Sequence, residues 1–320
     1  MLRDGAVIGI DIGGTKTHVV VARGGATLVD RTIPTVDWRE REAAADAASL
    51  ARLIQSIGPD GLEPAVTVIG AHGCDHAEEC LVFQGLVATH LPGAVLVLND
   101  SELLLPAAGH EAGISVIAGT GSIAVARLPN GTMLTAGGWG WLLGDEGSAS
   151  GLVRTAARAV RDAADLGRAS DALEANLMAS LGLSDPTALG RTLSNEGSAA
   201  RIGRHVPAVF AAAESGSLLA NKVIIEGGRE LARLVGRLVR RGAEGGQVVA
   251  GGGVIARQPA LMAAFQDGVL LEAPGWRVTL LTAPPVLGAI HLAERLSRGE
   301  TIGHLPPPSS GGDRGYRRTG

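Results

Sequence analysis

The feature that most constrains the fold is a pair of glycines that joins two apolar runs near the N-terminus. The stretch GIDIGGTKTHVVVA (9–22) places Gly13 and Gly14 after one run and three consecutive valines shortly after them. Because valine favours strands, these glycines predict the turn of a β-hairpin. A Walker phosphate loop instead leads into a helix and requires the pattern GxxxxGK[ST], which this sequence lacks. The stretch GISVIAGTGSIAVAR (113–127) predicts a second hairpin of the same kind.

The two hairpins begin two copies of one plan: three strands, then helix, strand, helix, strand, helix. In the first copy the strands are predicted at 7–12, 17–22, 27–33, 66–70 and 94–98, with helices at 39–57, 77–90 and from about 101. This order predicts a duplicated α/β architecture. The predicted domains are 1–112 and 113–285, with a helical insert at 147–240 in the second. A helix at 286–298 is predicted to pack back on the first domain, and the Pro/Gly/Ser-rich tail 303–320 to be disordered.

The residues of both turns are suited to binding phosphate. Glycine lets backbone N–H groups approach an anion, threonine adds hydroxyl donors, and Lys16 adds a charge. Asp11 would repel a phosphate unless Mg²⁺ lay between them, bound through water. The alternative is that such glycines only form turns, but two matching turns favour a nucleotide site. The predicted phosphate-binding residues are Gly13, Gly14, Thr15, Lys16, Thr17, Gly119, Thr120, Gly121 and Ser122.

A third glycine cluster lies in VVAGGGVIA (248–256). A strand followed by Gly251, Gly252 and Gly253 would leave a flat surface for a purine and its ribose; the alternative is a plain strand-to-helix turn. No G-x-G-x-x-G opens a helix at the start of the chain, which argues against a dinucleotide fold.

Composition excludes several classes of partner and location. The net charge of −4 does not indicate a nucleic-acid partner. No apolar run is long enough to span a bilayer, so no membrane association is expected. Cys74 and Cys80 are the only cysteines, which indicates a reduced, cytoplasmic protein.

Four segments together resemble the actin/hexokinase/Hsp70 ATPase superfamily: GIDIGGTKT, VLNDSELL, VIAGTGSIA and VVAGGGVIA. The segment GGWGWLLGDEGSASG (137–151) narrows the resemblance to the BadF/BadG/BcrA/BcrD-type ATPases, which include N-acetylglucosamine kinases. The resemblance covers roughly residues 5–297. It implies duplicated ribonuclease H-like domains, ATP and Mg²⁺ as cofactors, and a homodimer.

The resemblance also implies an activity and its residues. The chain would phosphorylate an amino sugar, most simply N-acetylglucosamine at O6, with glucosamine and N-acetylmuramic acid as alternatives. Asp100 corresponds to the catalytic base of the family, although an acid at this point is also a common helix N-cap. Sugar contacts would come from Asp145 of the GDEGS segment, from Gly138 and Trp139, and from Asp75.

Two departures from the family lie on the sugar side. The loop after the third strand reads PTVDW, with Val36 or Asp37 where kinases of the family often have asparagine. The residues after GDEGS are Ala149, Ser150 and Gly151, where aromatic residues are usual.

Other functions remain open at this point. One is an ATPase that couples hydrolysis to a protein partner, as the dehydratase activators of the family do. Those activators bind an iron–sulfur cluster through cysteines after the second phosphate turn, and here no cysteine follows Cys80. A sugar sensor without catalysis is another, against which Asp11, Lys16 and Asp100 argue. The run HGCDHAEEC (72–80) could bind zinc through its histidines and cysteines, or be a substrate loop; its spacing favours the loop.

Overall fold

The structure is a computed structural model that describes residues 5–40 and 42–310. By its internal contacts the chain forms two compact units. Unit 1 contains the residues up to Gly113, Ala126–Leu134 and the residues from Leu281 onward, and unit 2 contains Ile114–Val125 and Thr135–Leu280. The sequence assigns Ala126–Leu134 to the second domain, and this is corrected. Arg127 binds the buried carboxylate of Glu102 and thereby ties the segment to unit 1.

The strands of the described residues are, in chain order, β1 (Ala6–Ile12), β2 (Lys16–Arg23), β3 (Ala26–Pro34), β4 (Pro64–Ala71), β5 (Ala94–Asn99), β6 (Ile114–Ala118), β7 (Ser122–Arg127), β8 (Met133–Gly137), β9 (Gln247–Gly251), β10 (Arg277–Leu280) and β11 (Ser309–Ser310).

The α-helices of the same residues are α1 (Ala43–Ile57), α2 (Ala77–Ala88), α3 (Leu104–Ala107), α4 (Gly140–Leu143), α5 (Ala149–Asp165), α6 (Ala172–Leu181), α7 (Leu189–Glu196), α8 (Ala199–Gly203), α9 (Val206–Glu214), α10 (Leu218–Arg240), α11 (Pro259–Glu272) and α12 (Val286–Ser297). Short 3₁₀ helices cover Thr35–Asp37, Asp100–Leu103 and Pro186–Ala188.

The two sheets repeat one strand order. The first runs β11-β5-β4-β1-β2-β3 and the second β10-β9-β6-β7-β8, so the second matches the first without its edge strand β11. In the first sheet β1, β4 and β5 are parallel, while β1, β2 and β3 are antiparallel. The predicted duplicated α/β architecture is therefore confirmed.

The sheet of unit 1 is buried on both faces, which explains why β1 is almost continuously apolar. Ile8, Ile10 and Ile12 join the core cluster that includes α1 and α2, and Val7 joins the cluster that includes α12. Gly9 permits the close approach of α12, since a Cβ there would lie 2.8 Å from a side-chain carbon of Ile290.

Helix α1 begins later than the sequence predicts. The side chain of Glu42 accepts hydrogen bonds from Ala44 N and Ala45 N and so caps the helix at residue 43. Arg39, which was expected inside the helix, instead reaches into it from the preceding loop and binds Asp46, at 3.1 Å from Nε to Oδ2.

The C-terminal segment is ordered further than the sequence predicts. Ser309 and Ser310 pair antiparallel with Val95 and Ala94 of β5. The buried amide of Gln84 holds this strand by donating to Pro307 O and Ser309 Oγ. The predicted disorder of 303–310 is thus wrong, and residues 311–320 lie outside the described part of the chain.

Among the described residues, no helix combines the length and the apolar composition that crossing a lipid bilayer requires.

Candidate functional site

The glycine turn of unit 1 lies between β1 and β2 and is fixed by its own backbone. Gly13 N donates to Lys16 O at 3.0 Å, and the Thr35 hydroxyl donates to Gly13 O at 2.9 Å. Gly14, Thr15 and Lys16 are exposed at the tip. The turn therefore offers an exposed lysine ammonium and an exposed threonine hydroxyl to an anion.

Thr17 does not belong to that exposed set, and its prediction as a phosphate ligand is corrected. Its side chain is completely buried. Its hydroxyl accepts from the indole N–H of Trp38 at 3.0 Å and lies 3.0 Å from the Thr35 hydroxyl. Because side chains alternate along a strand, the residue after the outward-facing Lys16 points into the core.

Two carboxylates and an imidazole meet at the carboxyl ends of parallel strands. Asp11 lies near the end of β1, His72 directly follows β4 and Asp100 directly follows β5. The His72 Nδ1 to Asp100 Oδ2 distance is 3.5 Å. Open α/β sheets bind ligands at this edge, and the sequence-predicted metal ligand and base are both found there.

The environment of this edge shifts the pKa values of two of its side chains, Asp11 and His72. Burial, followed by the negative charge of Asp100, raises the pKa of Asp11 from 3.8 to about 7, while Lys16 and His72 oppose the rise. The hydrogen bond with Asp100 raises the pKa of His72. Within the described residues no hydrogen bond satisfies the Asp11 carboxylate. A divalent cation would supply the missing positive charge, so the edge fits the Mg²⁺ predicted beside Asp11.

The turn that carries Asp100 is held by its neighbours. Asn99 is the N-cap of the 3₁₀ helix, accepting from Ser101 N at 3.0 Å, and Glu102 accepts from Asn99 N at 3.2 Å. Arg127 in turn binds both oxygens of Glu102, at 2.7 and 2.9 Å. Ser101 N also donates to Asp100 Oδ1 at 3.0 Å, so Asn99 and Asp100 share this donor, while Asp100 Oδ2 faces His72.

A cavity of about 910 Å³ opens beside the turn and His72. Apolar side chains and a few charged ones share its wall, and Val36 is among them with 83% of its surface exposed. The lining residues are Gly14, Thr35, Val36, Arg39, Ala43, Asp46, Ala71, His72, Gly73, Cys74, His76, Glu78, Glu79, Val82 and Phe83.

The loop from His72 to His76 forms one wall of this cavity. Asp75 accepts a hydrogen bond from Asn99 Nδ2 at 3.3 Å, and burial raises its pKa. Cys74 and Cys80 are buried thiols, and the Cys80 Sγ lies 3.6 Å from Cys74 O. In the part of the chain that the structure describes, no cluster of three or more His, Cys, Asp or Glu side chains is arranged to hold a metal ion.

The glycine turn of unit 2 connects β6 with β7. Helix α5 borders it, since Ala149 N donates to Gly119 O at 2.8 Å. Thr120 is exposed. Ser122, however, is buried, and its hydroxyl donates to Glu146 O at 2.8 Å. Its prediction as a phosphate ligand is therefore corrected for the same reason as that of Thr17: it is the first inward-facing residue of the returning strand.

Asp145 lies against this second turn. It is buried and has a φ of +63°, the only positive value of a non-glycine among the described residues. Its Oδ1 accepts from Ser122 N at 3.0 Å, and burial raises its pKa. A Cβ on Gly121 would lie 2.8 Å from Oδ1, and a Cβ on Gly151 would lie 2.1 Å from Asp145 O. The space around Asp145 thus requires glycine at 151.

The remaining site residues predicted in unit 2 are the third glycine cluster (251–253) and the pair Gly138 and Trp139. Gly252 has a φ of +105° and approaches Ala118 so closely that a Cβ would lie 2.6 Å from Ala118 O. A Cβ on Gly119 would lie 3.8 Å from Gly253 N, so the third glycine cluster adjoins the second turn. Trp139 is 75% exposed and follows Gly138, whose N–H donates to Ser122 O.

Sequence reasoning missed two features of unit 1. The sequence offers His72 as a zinc ligand or as part of a substrate loop, but it gives no sign that the ring lies beside Asp100. The pair of Glu102 and Arg127 gave no local signal, because 25 positions separate them.

Comparison with known proteins agrees with this geometry. The profile of the BadF/BadG/BcrA/BcrD ATPase family matches residues 8–290. The chain belongs to this family. Within it, an N-acetylmuramic acid/N-acetylglucosamine kinase of Clostridium acetobutylicum is 29% identical over 238 residues, which are 70% of this chain and 76% of that protein. An N-acetyl-D-glucosamine kinase of Dictyostelium discoideum is 27% identical over 313 residues, covering 89% of this chain and 97% of the relative.

Solved structures share the fold of this BadF-type protein. A Chromobacterium violaceum structure has a TM-score of 0.67 at 22% identity and covers 90% of this chain and 99% of its own. A ROK family glucokinase of Streptomyces griseus, solved with glucose and AMPPNP, has a TM-score of 0.56 at 20% identity and covers 92% and 100%. The predicted actin-like ATPase fold is confirmed.

Proposed function

We propose that the protein is an ATP-dependent kinase that phosphorylates an amino sugar, N-acetylglucosamine at O6 being the first candidate. The observation that carries this proposal is the edge of unit 1, where Asp11, a carboxylate to which no described residue donates a hydrogen bond, adjoins an exposed glycine turn and a second carboxylate, Asp100. Phosphoryl transfer to an alcohol needs these parts: a cation site, phosphate donors and a base. The named activities of the two family relatives support the same reaction.

Each residue of the edge has a place in the reaction. Lys16, Thr15 and the backbone N–H groups of the turn bind phosphate oxygens. Asp11 would hold Mg²⁺, which would supply positive charge to the phosphate oxygens during transfer. Asp100 accepts the proton of the sugar hydroxyl. The hydroxyl oxygen then forms its bond to the γ-phosphorus as the bond to ADP breaks.

The sugar would occupy the cavity bounded by the His72–His76 loop and Val36. Its wall is apolar at the exposed side chain of Val36. Asp75, in the His72–His76 loop, is a proposed sugar contact, and the roles expected for Gly138, Trp139 and Asp145 of unit 2 stay predictions. Because Asp145 Oδ1 is already bonded to Ser122 N, a sugar hydroxyl there would bind Oδ2.

The test is a coupled assay of ADP release with Mg²⁺-ATP and a panel of sugars. N-acetylglucosamine, glucosamine, N-acetylmuramic acid and glucose would be compared with a reaction that lacks sugar. Stimulation by an amino sugar over the sugar-free rate is expected. ATP hydrolysis at one rate with and without every sugar would favour instead an ATPase that acts on a protein partner.

A further inference from the structure

His72 connects the glycine turn of unit 1 with Asp100. Its Nδ1 lies 3.5 Å from Asp100 Oδ2. On the opposite edge of the ring, Cδ2 and Nε2 both lie 3.4 Å from the position that a Cβ on Gly14 would occupy. The ring therefore spans the distance between the proposed phosphate turn and the proposed base, and its Nε2 is directed at the turn.

The backbone on both sides of this ring is fixed. His72 N donates to Ile12 O at 2.8 Å, which joins the loop to the end of β1. Arg39 Nη2 donates to His72 O at 2.9 Å, and Arg39 itself is paired with Asp46. The side chain nevertheless remains 57% exposed, and among the described residues no hydrogen bond occupies Nε2. A fixed, accessible ring nitrogen thus faces the space above Gly14.

We propose that His72, as the imidazolium, binds the terminal phosphoryl group of ATP, with Nε2–H donating to one of its oxygens while Nδ1–H faces Asp100. This inference rests on the proposed kinase function and adds a residue to it. Glycine at position 14 leaves room for a phosphate oxygen between the ring and the turn.

The chemistry of transfer explains why a donor is useful there. In the transition state the negative charge is spread over the three equatorial oxygens of the transferred group. One bond forms from the sugar oxygen to phosphorus, one bond breaks to the β-phosphate oxygen of ADP, and the hydroxyl proton goes to Asp100. His72 gains and loses no proton in this step; it donates a hydrogen bond that ADP alone does not receive.

The difference between ATP and ADP tests the proposal without turnover. Calorimetry would measure the affinity of both nucleotides for the wild type, His72→Ala, His72→Gln and the control His76→Gln, in Mg²⁺ and without sugar. His76 lines the same cavity, and no hydrogen bond or ion pair joins it to Gly14 or Asp100. Circular dichroism would confirm that each variant is folded.

We expect His72→Ala to weaken ATP binding by roughly tenfold or more, as for a lost hydrogen bond to a charged group, and to leave ADP binding unchanged. His72→Gln retains an N–H donor and should recover part of the ATP affinity. His76→Gln should keep the ratio of ATP to ADP affinity. In steady-state assays His72→Ala should lower kcat with little change in the KM of the sugar.

Three results would overturn the inference: unchanged ATP affinity in His72→Ala, an equal loss for ATP and ADP, or a higher sugar KM alone, which would place the ring against the sugar. These results leave the kinase proposal standing. A wild-type protein that binds neither nucleotide would instead reject the kinase proposal, and the inference with it.

Discussion

In the unliganded protein, Asp11 lowers the stability of the folded state as pH rises, whereas most aspartates do the reverse. Burial and the charge of Asp100 raise its pKa from 3.8 to about 7. Below pH 3.8 the carboxyl group is protonated in the folded and the unfolded chain, so it adds no difference. As pH rises towards 7, the Asp11 carboxyl group ionises in the unfolded chain before it ionises in the folded protein. This ionisation stabilises the unfolded chain relative to the folded one. A shift of about three units corresponds to about 4 kcal/mol of lost stability above pH 7.

The substitution Asp11→Asn removes this ionisation while keeping the size of the side chain. In urea unfolding without divalent cations, the variant should become more stable relative to the wild type by about 3 kcal/mol between pH 5 and pH 8. Mg²⁺ at pH 8 should stabilise the wild type and have little effect on the variant, because the cation compensates the Asp11 carboxylate. Parallel pH profiles for the two proteins, or equal stabilisation by Mg²⁺, would refute the reasoning.

Three substitutions test other parts of the structure. Arg127→Ala leaves the buried carboxylate of Glu102 without its partner and should lower the free energy of unfolding by about 3–5 kcal/mol. A loss below about 1 kcal/mol, which is typical of a surface pair, would contradict the burial of this ion pair. Gly288→Ala places a methyl group 2.1 Å from Leu103 O; a thermal midpoint at the wild-type value would show that α12 does not pack as described. Gly121→Ala places a methyl group 2.8 Å from Oδ1 of the buried Asp145 and should weaken nucleotide binding in calorimetry. Unchanged affinity would count against a role for the second turn.

The sequence predicted the fold more accurately than it predicted which side chains are exposed and able to bind a ligand. Both hairpins, the succession of strands and helices along the chain, and the places of Asp11 and Asp100 at strand ends follow from apolar runs and glycines, which report local structure directly. Thr17 and Ser122 look like phosphate donors because they stand beside glycines. Whether they face outward depends on which residue of the returning strand points to the core, and the turn geometry that decides this is not visible in residue type.

Contacts between segments that are far apart in the sequence were the second feature that could not be predicted from it. Gln84 holds the C-terminal strand on β5, and 223 positions separate it from Pro307. A tail rich in Pro, Gly and Ser shows no sign of such a partner, so it was predicted to be disordered throughout. His72 illustrates the opposite case, in which the position was readable from the preceding strand but its role depended on where Asp100 lies.

Transfer of a labelled γ-phosphoryl group to sugar tests the central claim most directly. [γ-³²P]ATP and N-acetylglucosamine would be incubated with the wild type and with Asp100→Asn, and ATP affinity would be measured on the same preparations. The account predicts one labelled sugar phosphate for each ADP formed by the wild type. It also predicts a rate lower by about 10²–10⁴-fold for Asp100→Asn with ATP affinity retained. Transfer by Asp100→Asn near the wild-type rate, or wild-type ATP hydrolysis that labels no amino sugar, would contradict it.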